Sequence, residues 1–250
     1  MNFAGRSALI TGAASGIGAA TARLLEAGGI SKLVLVDCNA ALQEQAAYAC
    51  TVQRFVGDVA DPDLWHKIAA AVPQLDYAVL NAGVSGNGTT IAEMAFADWK
   101  RTLATNLDGM FLGLKLAMDR LAMQGGSVVL TASVSAIRGI SSADYGASKA
   151  AVVQLAKIAA REGGPLGVRV NAIAPGGVDT PIWDHAPGFA DHVARFGSRE
   201  AAIREFGKLG TPLGRFASAE EIAGHIAFLL SDLSAMITGT VVIADGGFSI

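Results

Sequence analysis

Tyr145 and Lys149 stand four residues apart in S-S-A-D-Y-G-A-S-K-A-A-V-V-Q-L-A-K, residues 141–157. On a helix this spacing puts both side chains on one face, one turn apart, with an ammonium beside a phenol. A phenol with its reference pKa of about 10 is a poor base at neutral pH. A unit positive charge about 4 Å away, at an effective dielectric of about 20, is worth roughly 4 kcal/mol, or up to about three pK units. The pair would then suit proton transfer near neutral pH. Tyrosine and lysine also fall four apart by chance on many amphipathic helices, so the surroundings must carry the case. After Lys149 the helix is Ala, Val, Leu and Ile on most faces, and a lysine among apolar residues is costly unless its charge has a partner.

The elements that must position this pair follow from composition and pattern. The chain has 250 residues, 52% hydrophobic and 16% charged, and no linker-like shift in composition. These values suit one compact α/β domain. Short β-branched runs at 7–11, 32–37, 53–57, 76–81, 126–132, 168–174 and 240–244 alternate with longer Ala/Leu-rich segments. The alternation predicts a Rossmann-like, doubly wound parallel sheet of seven strands with helices on both faces. A net charge of −3 without a Lys/Arg-rich run argues against a nucleic-acid surface. Cys38 and Cys50 form neither a disulfide framework nor a metal spacing, which fits a reducing, cytoplasmic setting. No signal peptide and no membrane span are expected from the start of the chain or from its apolar runs.

The first strand runs directly into T-G-A-A-S-G-I-G and then a helix. Gly12, Gly16 and Gly18, with Ser15 and Ile17 between them, would let the backbone turn and approach a pyrophosphate at the helix N-terminus. The second strand ends at Asp37, nineteen residues beyond Gly18, where a carboxylate can accept both hydroxyls of an adenosine ribose. Alternatively, Asp37 only starts a turn. A 2′-phosphate would be repelled by this carboxylate, and no cation stands at Ser15 or Cys38, so NAD is favoured over NADP.

With these residues in place the chain resembles the short-chain dehydrogenase/reductase family, in its compact single-domain branch, over nearly all its length. T-G-A-A-S-G-I-G is similar to that family's cofactor loop, and Tyr145 with Lys149 to its Y-x-x-x-K pair. The resemblance continues through Asp58 and Val59 as adenine contacts, Asn81-Ala82-Gly83 as the turn after the fourth strand, Asn106 as the catalytic asparagine and Ser133 as the substrate serine. Pro175, Gly176, Val178 and Thr180 fall in a loop that resembles the family's nicotinamide side, and D-G-G at 245–247 resembles its ending. The resemblance implies an oxidoreductase that moves a hydride between NAD and a secondary alcohol or ketone, with Tyr145 as general acid/base and Ser133 holding the substrate oxygen. Lys149 would lower the phenol pKa and bond the nicotinamide ribose, Asn106 would hold a relay water through its carbonyl, and Thr180 would bond the carboxamide. The resemblance also implies a homotetramer, with the helices expected at 98–123 and 144–162 paired across one interface.

Some residues keep two readings. Asn81 alone would be an ordinary turn residue, and Asn106 a satisfied polar group at a helix irregularity. Ser133 lies twelve residues before Tyr145, one fewer than the family's most usual spacing, and Ser135 is a second hydroxyl nearby. Asp144 is either a helix N-cap or a substrate contact. After Pro181 the pattern loosens, and residues 182–212 are read as an irregular substrate lid. There Trp183, Phe189 and Phe196 either wall an apolar substrate or pack the lid onto the body. His185 and His192 match no metal-ligand spacing, so no metal is expected. The functional expectation is an NAD-dependent dehydrogenase of cyclic, aromatic or otherwise apolar secondary alcohols. An NADPH-dependent 3-oxoacyl reductase and a non-catalytic NAD-binding protein are the alternatives.

Overall fold

The computed structural model describes all residues 1–250. Seven strands, β1 (Ser7–Thr11), β2 (Lys32–Asp37), β3 (Thr51–Val56), β4 (Tyr77–Leu80), β5 (Gly126–Thr131), β6 (Val168–Pro175) and β7 (Val241–Ala244), form one sheet in the order β3-β2-β1-β4-β5-β6-β7. All six pairings are parallel. The doubly wound, seven-stranded fold read from the sequence is present, with β1 and β2 where expected and the other strands displaced at their ends by at most two residues.

Strand sequences this apolar arise because both sheet faces are covered. Leu9, Val34, Ala78, Leu80, Val128, Leu130, Val170 and Ala172 point to one face, where they meet α2 (Pro62–Ala71), α4 (Gly109–Leu121) and α5 (Ala143–Gly163). Their neighbours Ala8, Ile10, Leu33, Leu35, Val79, Val129 and Ile173 point to the other, against α1 (Gly16–Ala27) and α8 (Ala219–Leu230). The chain runs outward from β1 to β3, then returns to place β4 on the other side of β1. A crevice opens outside the carboxyl ends of strands at such a reversal, and it is where open α/β sheets take ligands.

Two expectations change. The helix expected over 98–123 is three pieces: α3 (Phe96–Leu103), a π-helical turn (Ala104–Asp108) and α4. The wider turn falls on A-T-N-L-D, where Asn106 turns its amide inward rather than to solvent, as local bulges in helices often do at functional sites. The segment expected to be irregular contains a 3₁₀ turn (Pro181–His185), α6 (Phe189–Phe196) and α7 (Arg199–Gly210). Gly188 and Gly197, with φ of 75° and 84°, interrupt it; sequence periodicity is hard to see in helices this short.

Candidate active site

The tyrosine helix begins beside the end of β5, so one turn of α5 faces the carboxyl edge of the sheet. Ser133 is buried there, two residues past the strand, and its Oγ accepts a hydrogen bond from the amide of Ser135 at 3.2 Å. Its hydroxyl lies next to the Tyr145 phenol and draws the phenol pKa down, against a larger upward push from burial. Lys149, 3% exposed, donates from Nζ to the carbonyl of Thr131 at 2.9 Å and lies 5.7 Å from the centre of the Tyr145 ring. Burial alone brings its ammonium down to about 8. The structure therefore departs from the simple picture of a lysine depressing a phenol: desolvation raises the phenol and lowers the ammonium, so the lysine gives up its proton more readily than the tyrosine.

Asn106 braces this cluster from the π turn. Its Oδ1 accepts from the amide of Val84 at 2.8 Å, while Nδ2 reaches the Val84 carbonyl at 3.0 Å and Ser148 Oγ at 3.3 Å. Ser148 in turn donates to the Tyr145 carbonyl at 2.8 Å. A side chain on Gly83 would bring its Cβ within 3.1 Å of Asn106 Oδ1 and 3.3 Å of Lys149 Nζ, so a glycine there leaves room for both.

The glycine-rich turn lies across the crevice. Gly12 has φ of 66°, and a Cβ there would press within 2.9 Å of the Ala82 backbone; one on Gly18 would strike the Gly12 carbonyl. The turn is thus closely folded where a pyrophosphate would meet the start of α1. Ser15 is exposed at that start and makes no side-chain capping bond, while Ile17 packs inward on the α1 side. Asn81 locks the turn to its neighbours, its amide donating to Thr11 Oγ1 at 2.9 Å and its Oδ1 accepting from Thr131 Oγ1 at 3.2 Å. Asp37 starts its own turn, Oδ1 accepting from the Asn39 amide, and it also reaches the glycine-rich turn, Oδ2 accepting from the Ala14 amide, each at 2.9 Å. Cys38 sits beside Asp37 and Asp58, and burial with these two carboxylates raises its thiol pKa. The glycine cradle, the helix start and the acidic end of β2 together fit a dinucleotide.

The family model described as Enoyl-(Acyl carrier protein) reductase matches residues 12–249. A cis-4-hydroxycyclohexanecarboxylate dehydrogenase of Sinomonas cyclohexanicum is 36% identical, with 99% of this chain and 98% of that protein covered. The chain belongs to the short-chain dehydrogenase/reductase family. Among solved structures of the family, levodione reductase superposes with a TM-score of 0.87 at 38% identity, covering 99% of both chains. A 3-oxoacyl-[acyl-carrier protein] reductase with bound NAD from Brucella melitensis superposes with a TM-score of 0.83 at 29% identity, covering 99% of this chain and 92% of that one.

Other residues of the family pattern fall near this edge in different ways. Asp58 is exposed and accepts from the Ala60 amide, whereas the Val59 side chain is buried and its carbonyl accepts from Trp65 Nε1 at 2.7 Å. Pro175 ends β6, and the Gly176 amide donates to Ala244. Val178 and Thr180 are buried, with the Thr180 side chain 3.2 Å from where a Cβ on Gly16 would stand. Ser135 is half-buried, and its side chain makes no hydrogen bond within the chain.

Trp183 occupies the middle of a separate aromatic cluster, stacked on Phe216 at 5.3 Å and tilted against Phe189 and Phe206 at 5.9 Å. Its indole donates to the Val178 carbonyl at 2.9 Å. Of its two readings, packing is the one these contacts display. Asp144 is not the N-cap of α5, a place taken by Ser142.

Thr11, the first residue of T-G-A-A-S-G-I-G, and Thr131, two residues before Ser133, had no role assigned from the sequence, yet both bond Asn81. Nor does the sequence signal Gln45, which caps the end of a short 3₁₀ turn and donates to the Ala13 carbonyl at 2.8 Å, or Arg199, which ties α7 to Asp179, Asp184 and the Thr180 carbonyl. For these last two no local pattern exists to read, because their partners lie 15 to 32 residues away in the chain.

Proposed function

We propose that the chain is an NAD-dependent dehydrogenase of cyclic or otherwise apolar secondary alcohols, and equally a reductase of the matching ketones. The observation that carries this reading is the meeting of the Ser133 hydroxyl, the Tyr145 phenol and the Lys149 ammonium at the sheet edge that also holds the glycine cradle. The cofactor, when bound, accepts or supplies the hydride. Residues Gly12 to Gly18, Asp37, Asn81 and Thr180 would hold it. Ser133 Oγ donates a hydrogen bond to the substrate oxygen, and Tyr145 Oη takes or gives the proton there. Lys149, half-way between two protonation states near pH 8 and buried behind the phenol, stabilises the phenolate and helps return its proton.

Relatives named for hydroxycyclohexanecarboxylate and levodione support a ring as substrate. The segment 182–212 would act as the lid, and the Ser85 hydroxyl, four residues past Asn81, donates to the His185 carbonyl at 3.2 Å, linking the two. The half-exposed Phe111 on α4 and Ile158 on α5 support a homotetramer assembled through these helices. No helix is long and apolar enough to cross a membrane, and a cytoplasmic location accords with the two free cysteines.

Initial rates with a panel of cyclic, aryl and linear secondary alcohols, with NAD and NADP in parallel, test the reading through nicotinamide absorbance. Turnover of cyclic alcohols with NAD is expected. Turnover confined to NADPH and 3-oxoacyl thioesters would replace it with the oxoacyl reductase, and tight NADH binding without turnover of any substrate would favour a non-catalytic protein.

A further inference from the structure

Asp144 precedes Tyr145 and has no part in the proton chemistry, yet its side chain is fully buried. Oδ2 accepts from Thr102 Oγ1 of α3 at 2.7 Å and from the Asn87 amide at 3.3 Å. Hydrogen bonds from the Ser142 and Thr102 hydroxyls and from the Tyr145 and Asn87 amides outweigh the upward push of burial and hold the carboxyl below its ordinary pKa, so it is ionised at neutral pH. Oδ1 has no well-aligned donor, and it sits against Gly86: a Cβ on that glycine would lie 2.7 Å from Oδ1 and 3.0 Å from Tyr145 Cβ, and would strike Ser142 Oγ. The backbone of Gly86 is therefore pressed onto the first turn of α5, directly beside the tyrosine.

The same short segment meets the 182–212 region on its other side. Ser85 reaches His185, and Gly88 lies so close to Pro187 that a Cβ would come within 2.8 Å of it. Asn87 is held from below as well, its Nδ2 donating to Asp98 Oδ2 at 3.3 Å. Residues 85–88 thus form a wall between the tyrosine turn and the proposed lid, and the buried carboxylate is the one group bonded to the wall, to α3 and to the turn that carries Tyr145. A charged residue shut away from the protein surface is retained at a cost unless its bonds do something an apolar residue could not. Here those bonds fix the wall's distance from the phenol.

We infer that Asp144 is a positioning residue that holds segment 85–88 against the tyrosine turn and so sets the width of the substrate side of the site. The inference deepens the dehydrogenase reading, yet its structural half can be tested without turnover. Asp144→Ala removes the acceptor, Asp144→Asn keeps one acceptor oxygen without the charge, and Thr102→Val removes only the hydroxyl donor at nearly constant volume. Amide exchange over residues 84–90 is read by mass spectrometry, with residues 12–20 as the internal control, alongside NADH affinity and KM for a compact and a bulky cyclic alcohol.

Exchange of 84–90 should quicken about tenfold or more in Asp144→Ala, the order expected for loss of hydrogen bonds to a charged acceptor. KM for the bulky alcohol should rise by a similar factor, with NADH affinity unchanged and Asp144→Asn and Thr102→Val lying between it and the native protein. Unchanged exchange at 84–90, or exchange quickening equally at 12–20 with NADH affinity lost in parallel, would overturn the inference. If the native protein oxidises no alcohol while exchange at 84–90 still responds, the holding role stands and the dehydrogenase reading falls.

Discussion

Tyr145→Phe is expected to lower alcohol oxidation by about a thousandfold or more, within the range supplied by a positioned general acid or base, while leaving NADH affinity within about twofold of the native value. The substitution removes one oxygen and keeps the ring that packs at the start of α5. Nothing nearby can take over: Ser133 is a hydroxyl without a base of its own, and the Lys149 ammonium is turned to the Thr131 carbonyl. The pH profile supplies a second readout. For oxidation the phenol must lose its proton, so kcat/KM of the native enzyme should rise with pH through the apparent pKa of the coupled Tyr145 and Lys149 pair. Burial sets the direction on each member, upward for the phenol and downward to about 8 for the lysine. In the phenylalanine variant the residual rate should lose that rise. A variant with native activity would remove Tyr145 from the mechanism, and a variant that loses NADH binding in parallel would mean that the ring, rather than the proton, is what the site needs.

The parts of this site that were legible in the sequence are those fixed by local chain geometry. Gly12, Gly16 and Gly18 follow a strand and open a helix, and Tyr145 and Lys149 are one helical turn apart, so order and spacing alone place them at the sheet edge. Asn106 was readable as an irregularity because a short amide is out of place in the middle of an apolar helix, although the π turn itself was not. What the sequence hid depends on contacts between distant segments. Trp183 is an exposed-looking aromatic in a loose stretch until Phe206 and Phe216, 23 and 33 residues on, close around it. Asp144 is a plausible helix cap until Thr102 and Asn87, 42 and 57 residues earlier, turn out to be its partners. Likewise charge and spacing predict that Lys149 lowers the Tyr145 pKa, whereas the depth of burial, which raises the phenol and lowers the ammonium, has no local signature in the sequence.

Asp37→Ala is expected to move the ratio of kcat/KM for NAD over NADP by about a hundredfold toward NADP, and Asp37→Asn to separate the two causes of that change. One cause is charge. The carboxylate at the end of β2, with Asp58 also close to the Cys38 thiol between them, would face a 2′-phosphate; repulsion of roughly 3 kcal/mol at an effective dielectric of about 20 corresponds to about two powers of ten in affinity. The other cause is structural, because Oδ2 of Asp37 also accepts from the Ala14 amide and so helps shape the glycine-rich turn on which either cofactor must sit. Alanine removes both contributions, so NAD should bind much more weakly and NADP should gain only part of what the lost repulsion allows. Asparagine keeps an oxygen for Ala14 and loses the charge, so NADP should gain more and NAD should lose less. An unchanged NAD/NADP ratio in both variants would mean that selectivity lies elsewhere in the adenosine pocket. A ratio that shifts only in the alanine variant would mean that Asp37 selects the cofactor through the shape of the turn rather than through its charge.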